Sequence, residues 1–86
     1  MIMTCREFID ALFRLQLSCF GSTVYFYMQS TCGMIHVEIG DINSDDDRLK
    51  FDTYTMESMR LYGSYENFLM KAALLCDKCV KCSAND

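Results

Sequence analysis

Five carboxylates fall within ten residues: Glu38, Asp41, Asp45, Asp46 and Asp47, with no Lys or Arg between positions 38 and 47. The other seven acids face eight bases elsewhere in the chain, so the net charge of -4 originates in this one stretch. A block of that kind projects a local field and does not coat the whole molecule. It could keep a turn solvated and do nothing more. It could also meet a basic protein surface, such as one that holds nucleic-acid phosphates, with an on-rate that weakens as salt is added. Asp41, Asn43 and Asp45 occupy the first, third and fifth places of a calcium loop, with Asp52 at the twelfth. Against calcium, Asp46 stands where that loop needs Gly, and Asp52 replaces its bidentate Glu.

Cys76, Cys79 and Cys82 form a C-x-x-C-x-x-C run whose thiolates are candidate zinc ligands. On a continuous helix each three-residue step rotates the next sulfur by about 60°. A fourth ligand would have to come from His36, Cys5, Cys19 or Cys32, none of which is paired in sequence. The alternative is a row of small buried hydrophobes. Redox catalysis is disfavoured because these thiols lie near a helix C-terminus, whose dipole opposes the thiolate. The one histidine, His36, stands two residues from Glu38, a possible acid/base pair, but no nucleophile elbow, phosphate-binding Gly loop or zinc-protease motif accompanies it. The chain is therefore not expected to be an enzyme, and no cofactor is called for.

These residues need a scaffold, and three alternating runs supply it. Val24, Phe26 and Met28 oppose Thr23, Tyr25, Tyr27 and Gln29; Ile35, Val37 and Ile39 oppose Met34, His36 and Glu38; Leu49, Phe51 and Thr53 oppose Lys50, Asp52 and Tyr54. Period-two patterns of this kind predict an antiparallel meander with one apolar face. The other face would carry Tyr25, Tyr27, His36, Asp52 and Tyr54. Tyrosine is common at interfaces, so this face is a second candidate partner-binding surface, although tyrosines are also ordinary strand residues.

Helices flank the meander. Thr4 and Glu7 make a capping box, Met3 and Phe8 a hydrophobic staple, and Phe8, Ile9, Leu12, Phe13 and Leu15 recur at helical spacing from about Cys5 to Leu17. Ser64 is a candidate N-cap for a last helix bearing Tyr65, Phe68, Leu69, Ala72, Leu75, Cys76 and Cys79 on one stripe. Met56 to Gly63 stays open between a fourth short strand and an irregular crossing. The expected fold is a single α+β domain over residues 1–86, order α-β-β-β-α, with a three-stranded (four-stranded if Met56 to Gly63 joins) antiparallel sheet, both helices on one face and a frayed tail at 83–86. With 86 residues the chain must use its apolar half economically, since a domain this small buries only roughly 60% of its unfolded surface.

The order resembles that of the double-stranded-RNA-binding domain, and Lys71, Ala72, Ala73, Leu74 and Leu75 resemble part of that domain's second helix. The start of the last helix here reads Ser64, Tyr65, Glu66, Asn67, without the basic cluster that meets phosphates, so direct nucleic-acid binding is not expected. No run of about 18 apolar residues and no charged n-region with an apolar core is present, which argues against a membrane span or secretion signal and for a cytoplasmic protein with reduced thiols. Taken together, these residues lead to the expectation of a small acidic inhibitor. It would block the basic groove of a nucleic-acid-handling complex with Glu38, Asp41, Asp45, Asp46 and Asp47. In style it resembles the anti-CRISPR and anti-restriction proteins that phages make, which would place it in the host cytoplasm. The alternatives are a homodimeric or subunit interaction module using the tyrosine face, and a zinc-binding adaptor built on the C-terminal cysteines.

Overall fold

In the computed structural model, which describes residues 3–84 (backbone alone for 56 and 81–84), the chain begins with helix α1, Cys5–Ser18. Its start is the capping box read from the sequence. The Glu7 N–H donates to Thr4 Oγ1 at 3.2 Å and the Thr4 N–H donates to Glu7 Oε1 at 3.1 Å, so two orphan donors are satisfied reciprocally. Strands β1 (Val24–Thr31), β2 (Met34–Asp41) and β3 (Ser44–Asp52) follow in an antiparallel sheet of order β1-β2-β3. Two helices close the chain, α2 (Met56–Tyr62) and α3 (Tyr65–Ala84). Of the tail expected to be frayed at 83–86, residues 83 and 84 are instead the helical end of α3, and residues 85 and 86 are not described.

Register follows the predicted alternation. Phe26 pairs with Ile39 and Met28 with Val37, and across the other ladder Val37 pairs with Phe51 and Ile39 with Leu49, so the apolar sides coincide. Ile35, Val37, Ile39 and Phe51 are wholly buried under Phe8, Leu12, Phe68 and Ala72 from α1 and α3. Phe8 stacks on Tyr65 with ring centroids 4.4 Å apart and meets Phe51 at 5.4 Å. The helices α1 and α3 run in the same direction, joined at one end by the Met3 N–H donating to Glu66 Oε1 (3.0 Å) and at the other by Cys19 against Cys76.

Two turns fix the meander. Between β1 and β2 the two-residue loop has positive φ at Cys32 (54°) and Gly33 (79°), the backbone of a type I′ hairpin whose twist matches its strands. Between β2 and β3 the Asp41 carboxylate accepts the Asn43 N–H at 3.0 Å, an Asx turn. The register then shifts, because Asp41 faces Ser44 while Gly40 already faces Arg48. Asp45, Asp46 and Asp47 are the extra residues of that irregularity, bulged out of the ladder.

Two expectations are corrected. The segment from Met56 to Gly63 is neither a fourth strand nor an irregular crossing, so the sheet has three strands; Met56–Tyr62 is helical and ends at Gly63, with φ 75° and its N–H on the Met59 carbonyl. Phe13, placed on the inner stripe by its spacing, is exposed, as are Leu17 on the same helix and Phe20 just past its end. Phe8 and Leu12 already fill the inner stripe, and a third large ring 100° further round has no room to join them.

Candidate functional site

The face of the sheet turned away from the helices is an organised polar surface. Alternation sends Tyr25, Tyr27, Gln29, His36, Glu38, Gly40, Arg48, Lys50 and Asp52 to it, and register assembles them into cross-strand rows: Tyr27, Glu38, Lys50, then Gln29, His36, Asp52. Tyr25 lies across Gly40, where a Cβ would come within 2.9 Å of three of its ring and hydroxyl atoms; the missing side chain is what lets the ring lie down. Tyr27 is 49% exposed and meets His36 edge to face at 5.9 Å. Tyr54, past the end of β3, donates from its hydroxyl to the Thr31 carbonyl at 3.4 Å while its N–H bonds Asp52 Oδ1 at 2.7 Å.

Four of the polar groups on this face, His36, Glu38, Lys50 and Asp52, contact one another, while Arg48 reaches Asp45 instead. His36 Nδ1 stands 3.2 Å from Asp52 Oδ2 and its Nε2 3.9 Å from Glu38 Oε2, and Lys50 Nζ is 3.2 Å from Glu38 Oε1. A histidine held between two carboxylates could pass a proton, yet no Ser, Thr or Cys nucleophile stands beside it among these contacts. An open groove of about 350 Å³ runs elsewhere, between β3 and α2, lined by Arg48, Lys50, Glu57, Ser58, Leu61 and Tyr62, and it holds neither histidine nor thiol.

The acidic block does not converge on one patch. Glu38 belongs to the sheet face and is tied to Lys50. Asp41 turns toward the helical layer, where Cys79 Sγ donates to its Oδ2 at 3.7 Å; the Asn43 N–H, then the Thr23 side chain, hold its carboxyl below the ordinary 3.8. Asp47 pairs with Lys78 at 3.1 Å, so α3 reaches back over the bulge. Asp45 is wholly exposed with Arg48 at 4.0 Å, and Asp46 is exposed beside Lys71 and Lys78 at the β3–α3 cleft. Asp45 and Asp46 are thus the two that project. The four calcium-loop positions do not meet either: Asp52 pairs with His36, about 17 Å along the ladder from Asp41.

The cysteines also diverge. Cys19, Cys76 and Cys79 are buried. The free thiols of Cys76 and Cys19 face one another across the α1–α3 groove while Cys79 addresses Asp41. The side chain of Cys82 lies outside the described residues, and among those described no group of three or more His, Cys, Asp or Glu is placed to hold a metal. Burial first, then the hydrogen bond to Cys19, raises the Cys76 thiol far above its ordinary 9.0; burial and then Asp41 raise Cys79. Both are held as protonated thiols.

A further surface escaped the sequence reading. Phe13, Leu17 and Phe20 stand on the outer side of the N-terminal segment, Phe20 at 93% exposure, with Met70 and Leu74 exposed on α3. The i, i+4, i+7 spacing of Phe13, Leu17 and Phe20 was the available signal, masked by the longer stripe beside it. Among the described residues no helix is long and apolar enough to cross a membrane. No family model matches this chain, and neither the curated proteins nor the solved structures contain a match to it.

Proposed function

We propose that the protein works by binding another protein through the open face of its sheet, centred on Tyr27 and flanked by Tyr25, His36, Asp52 and Tyr54, with no catalytic chemistry of its own. The observation that carries this reading is an aromatic face which none of the described helices covers and on which Lys50 pairs with Glu38 and His36 lies beside Asp52. The Glu38–Lys50 pair lowers the cost of desolvating such a surface, while Tyr rings supply area at low entropic cost. A cytoplasmic setting fits the reduced, protonated thiols. The zinc adaptor is less well supported, because Cys76 and Cys79 face different partners.

A second reading keeps the acidic inhibitor in narrower form. Asp45 and Asp46 project from the hairpin and could enter the basic groove of a nucleic-acid-handling complex, as a phage anti-CRISPR or anti-restriction protein would, with Glu38, Asp41 and Asp47 serving the fold. One experiment separates the two. Immobilised protein is used to capture partners from extracts of the source cells, and the bound protein is challenged with Tyr27→Ser/Tyr54→Ser and with Asp45→Asn/Asp46→Asn variants. Loss of a partner with the tyrosine variant and its retention by the aspartate variant supports the sheet face. The converse, with a salt dependence that flattens, supports the decoy. A partner that tolerates both variants overturns both readings.

A further inference from the structure

The two edges of the sheet are built differently. On β3 the edge carries Asp45, Asp46, Asp47, Arg48 and Lys50 and an irregular register, the devices that keep an edge strand from pairing with another chain. On β1 eight residues run in unbroken register with no charged side chain, no proline and no bulge. Their backbone phase is set by the Ile42 N–H donating to the Thr23 carbonyl at 3.0 Å. Hydrogen-bonded pairs alternate along an antiparallel ladder, so Tyr25, Tyr27 and Gln29 turn their backbone groups to β2 while Val24, Phe26, Met28 and Ser30 turn theirs outward. The outward N–H of Val24 donates to the Ser22 hydroxyl at 3.3 Å. Among the described residues no backbone partner is found for the outward groups of Phe26, Met28 and Ser30. The side chains are unfinished too: Val24, Phe26 and Met28 pack on the margin of the core and stay partly exposed, whereas Ile39 and Val37, the β2 partners of Phe26 and Met28, are fully buried.

We infer that the outer edge of β1 is the docking site for a second copy of this chain, the two β1 strands pairing antiparallel about a two-fold axis at Tyr27 to make one continuous six-stranded sheet. Charge selects the occupant. An uncharged strand offers no complement to a charged one but pairs with itself without repulsion, and the acids of the sheet itself lie on β2 and β3, away from the seam. Phase then selects the register. The pairing that uses all four outward residues sets Phe26 against Met28 of the other copy and Val24 against Ser30. Tyr27 then faces its own equivalent in a non-hydrogen-bonded pair with Cα atoms about 4.5 Å apart. Phe26 and Met28 cover one another on the helix side, and the Tyr27 rings meet on the open side, an aromatic cross-strand pair. The charged β3 strands are left as the two outer edges. This assembly does not depend on the tyrosine face meeting a different protein.

Light scattering should give the mass of two chains, with the Phe26, Met28 and Ser30 amides protected from exchange in the dimer. Ser30→Pro removes an outward donor that the monomer does not use, and Tyr27→Lys opposes two ammonium groups at the axis; each should return the mass to one chain with the circular dichroism spectrum unchanged. With Cys5, Cys32 and Cys82 replaced by Ser, Tyr27→Cys should form an intermolecular disulfide in air, whereas Gln29→Cys, opposite Tyr25 of the other copy, should not. Ser30→Pro keeps every face tyrosine, so a monomeric variant that still binds a partner separates this inference from the function proposed above. A mass of one chain at millimolar concentration overturns the inference, as does a dimer that survives both edge variants or one in which Gln29→Cys links as readily as Tyr27→Cys.

Discussion

At the scale of single residues, the backbone puts two cysteine environments under opposite kinds of constraint. Cys32 occupies a left-handed position, φ 54°, that the tight β1–β2 hairpin requires, and a side chain with a β-carbon is disfavoured there. Asn tolerates that conformation, and Asn followed by Gly is the preferred pair for this turn. Cys32→Asn should therefore stabilise the fold by about 1 kcal/mol, which for a domain of this size is roughly a 4–8 °C rise in Tm. A thermal melt followed by circular dichroism checks it, and an unmoved midpoint would mean the turn relaxes around Cys32 without cost. Cys76 and Cys79 are constrained by burial instead, and both keep their protons more tightly in the folded chain than in the unfolded one. The sign follows directly. Above the ordinary thiol value of 9.0 the unfolded chain releases protons that the folded chain still holds, so their stabilisation is complete below that pH and is lost as pH rises through it. Tyr65, raised by burial from 10.0, adds to the same decline at higher pH. Urea midpoints measured from neutral to strongly alkaline pH should fall, and Cys76→Ala, though less stable at neutral pH through the space it opens, should show a shallower fall.

At the scale of elements, what could be read from the chain depended on whether local pattern or tertiary contact decided the outcome. The β strands carry their own signature, because Val24, Phe26 and Met28 or Ile35, Val37 and Ile39 can face one core only if the strand is extended, and the observed registers follow. The α1 start was equally legible, since Thr4 and Glu7 satisfy each other without help from elsewhere. Ser64 works the same way for α3, accepting the Asn67 N–H at 3.2 Å. The short α2 was not legible. Its seven residues amount to two turns, too few to show a period of 3.6, and its apolar anchor is Tyr62, buried against Phe51 of β3 and Phe68 of α3. Tertiary packing selects the helix there, with Gly63 supplying the stop and the Asn67 amide donating to the Tyr62 carbonyl at 2.7 Å. The candidate surfaces divide along the same line. The tyrosine face was readable from alternation alone, whereas the fate of the carboxylates depended on a bulge, which sends Asp47 toward Lys78 and leaves Asp45 outside, and a bulge leaves no periodic trace.

At the scale of the whole molecule, the run of three aspartates is compatible with the sheet because β3 is an edge. A central strand could not hold three consecutive carboxylates, and an edge strand without charge would present its free backbone to other chains. Asp45 and Asp46 stand outside the ladder, are both exposed, and if neutralised would take the net charge from -4 to about -2. Neutralising them should therefore leave the fold alone while removing what protects the edge. For Asp45→Asn/Asp46→Asn the urea midpoint should correspond to a change within about 0.5 kcal/mol of the parent, because neither carboxylate is buried and the Arg48 contact at 4.0 Å is a solvated one. Association should change instead. Light scattering at rising protein concentration should show species larger than the pair joined through β1, growing as salt screens the remaining charge, because each dimer would now present two unguarded β3 edges. If the double variant stays at the parent's mass at every concentration while its stability is unchanged, the aspartates are not guarding β3, and their outward position is then free to serve a partner.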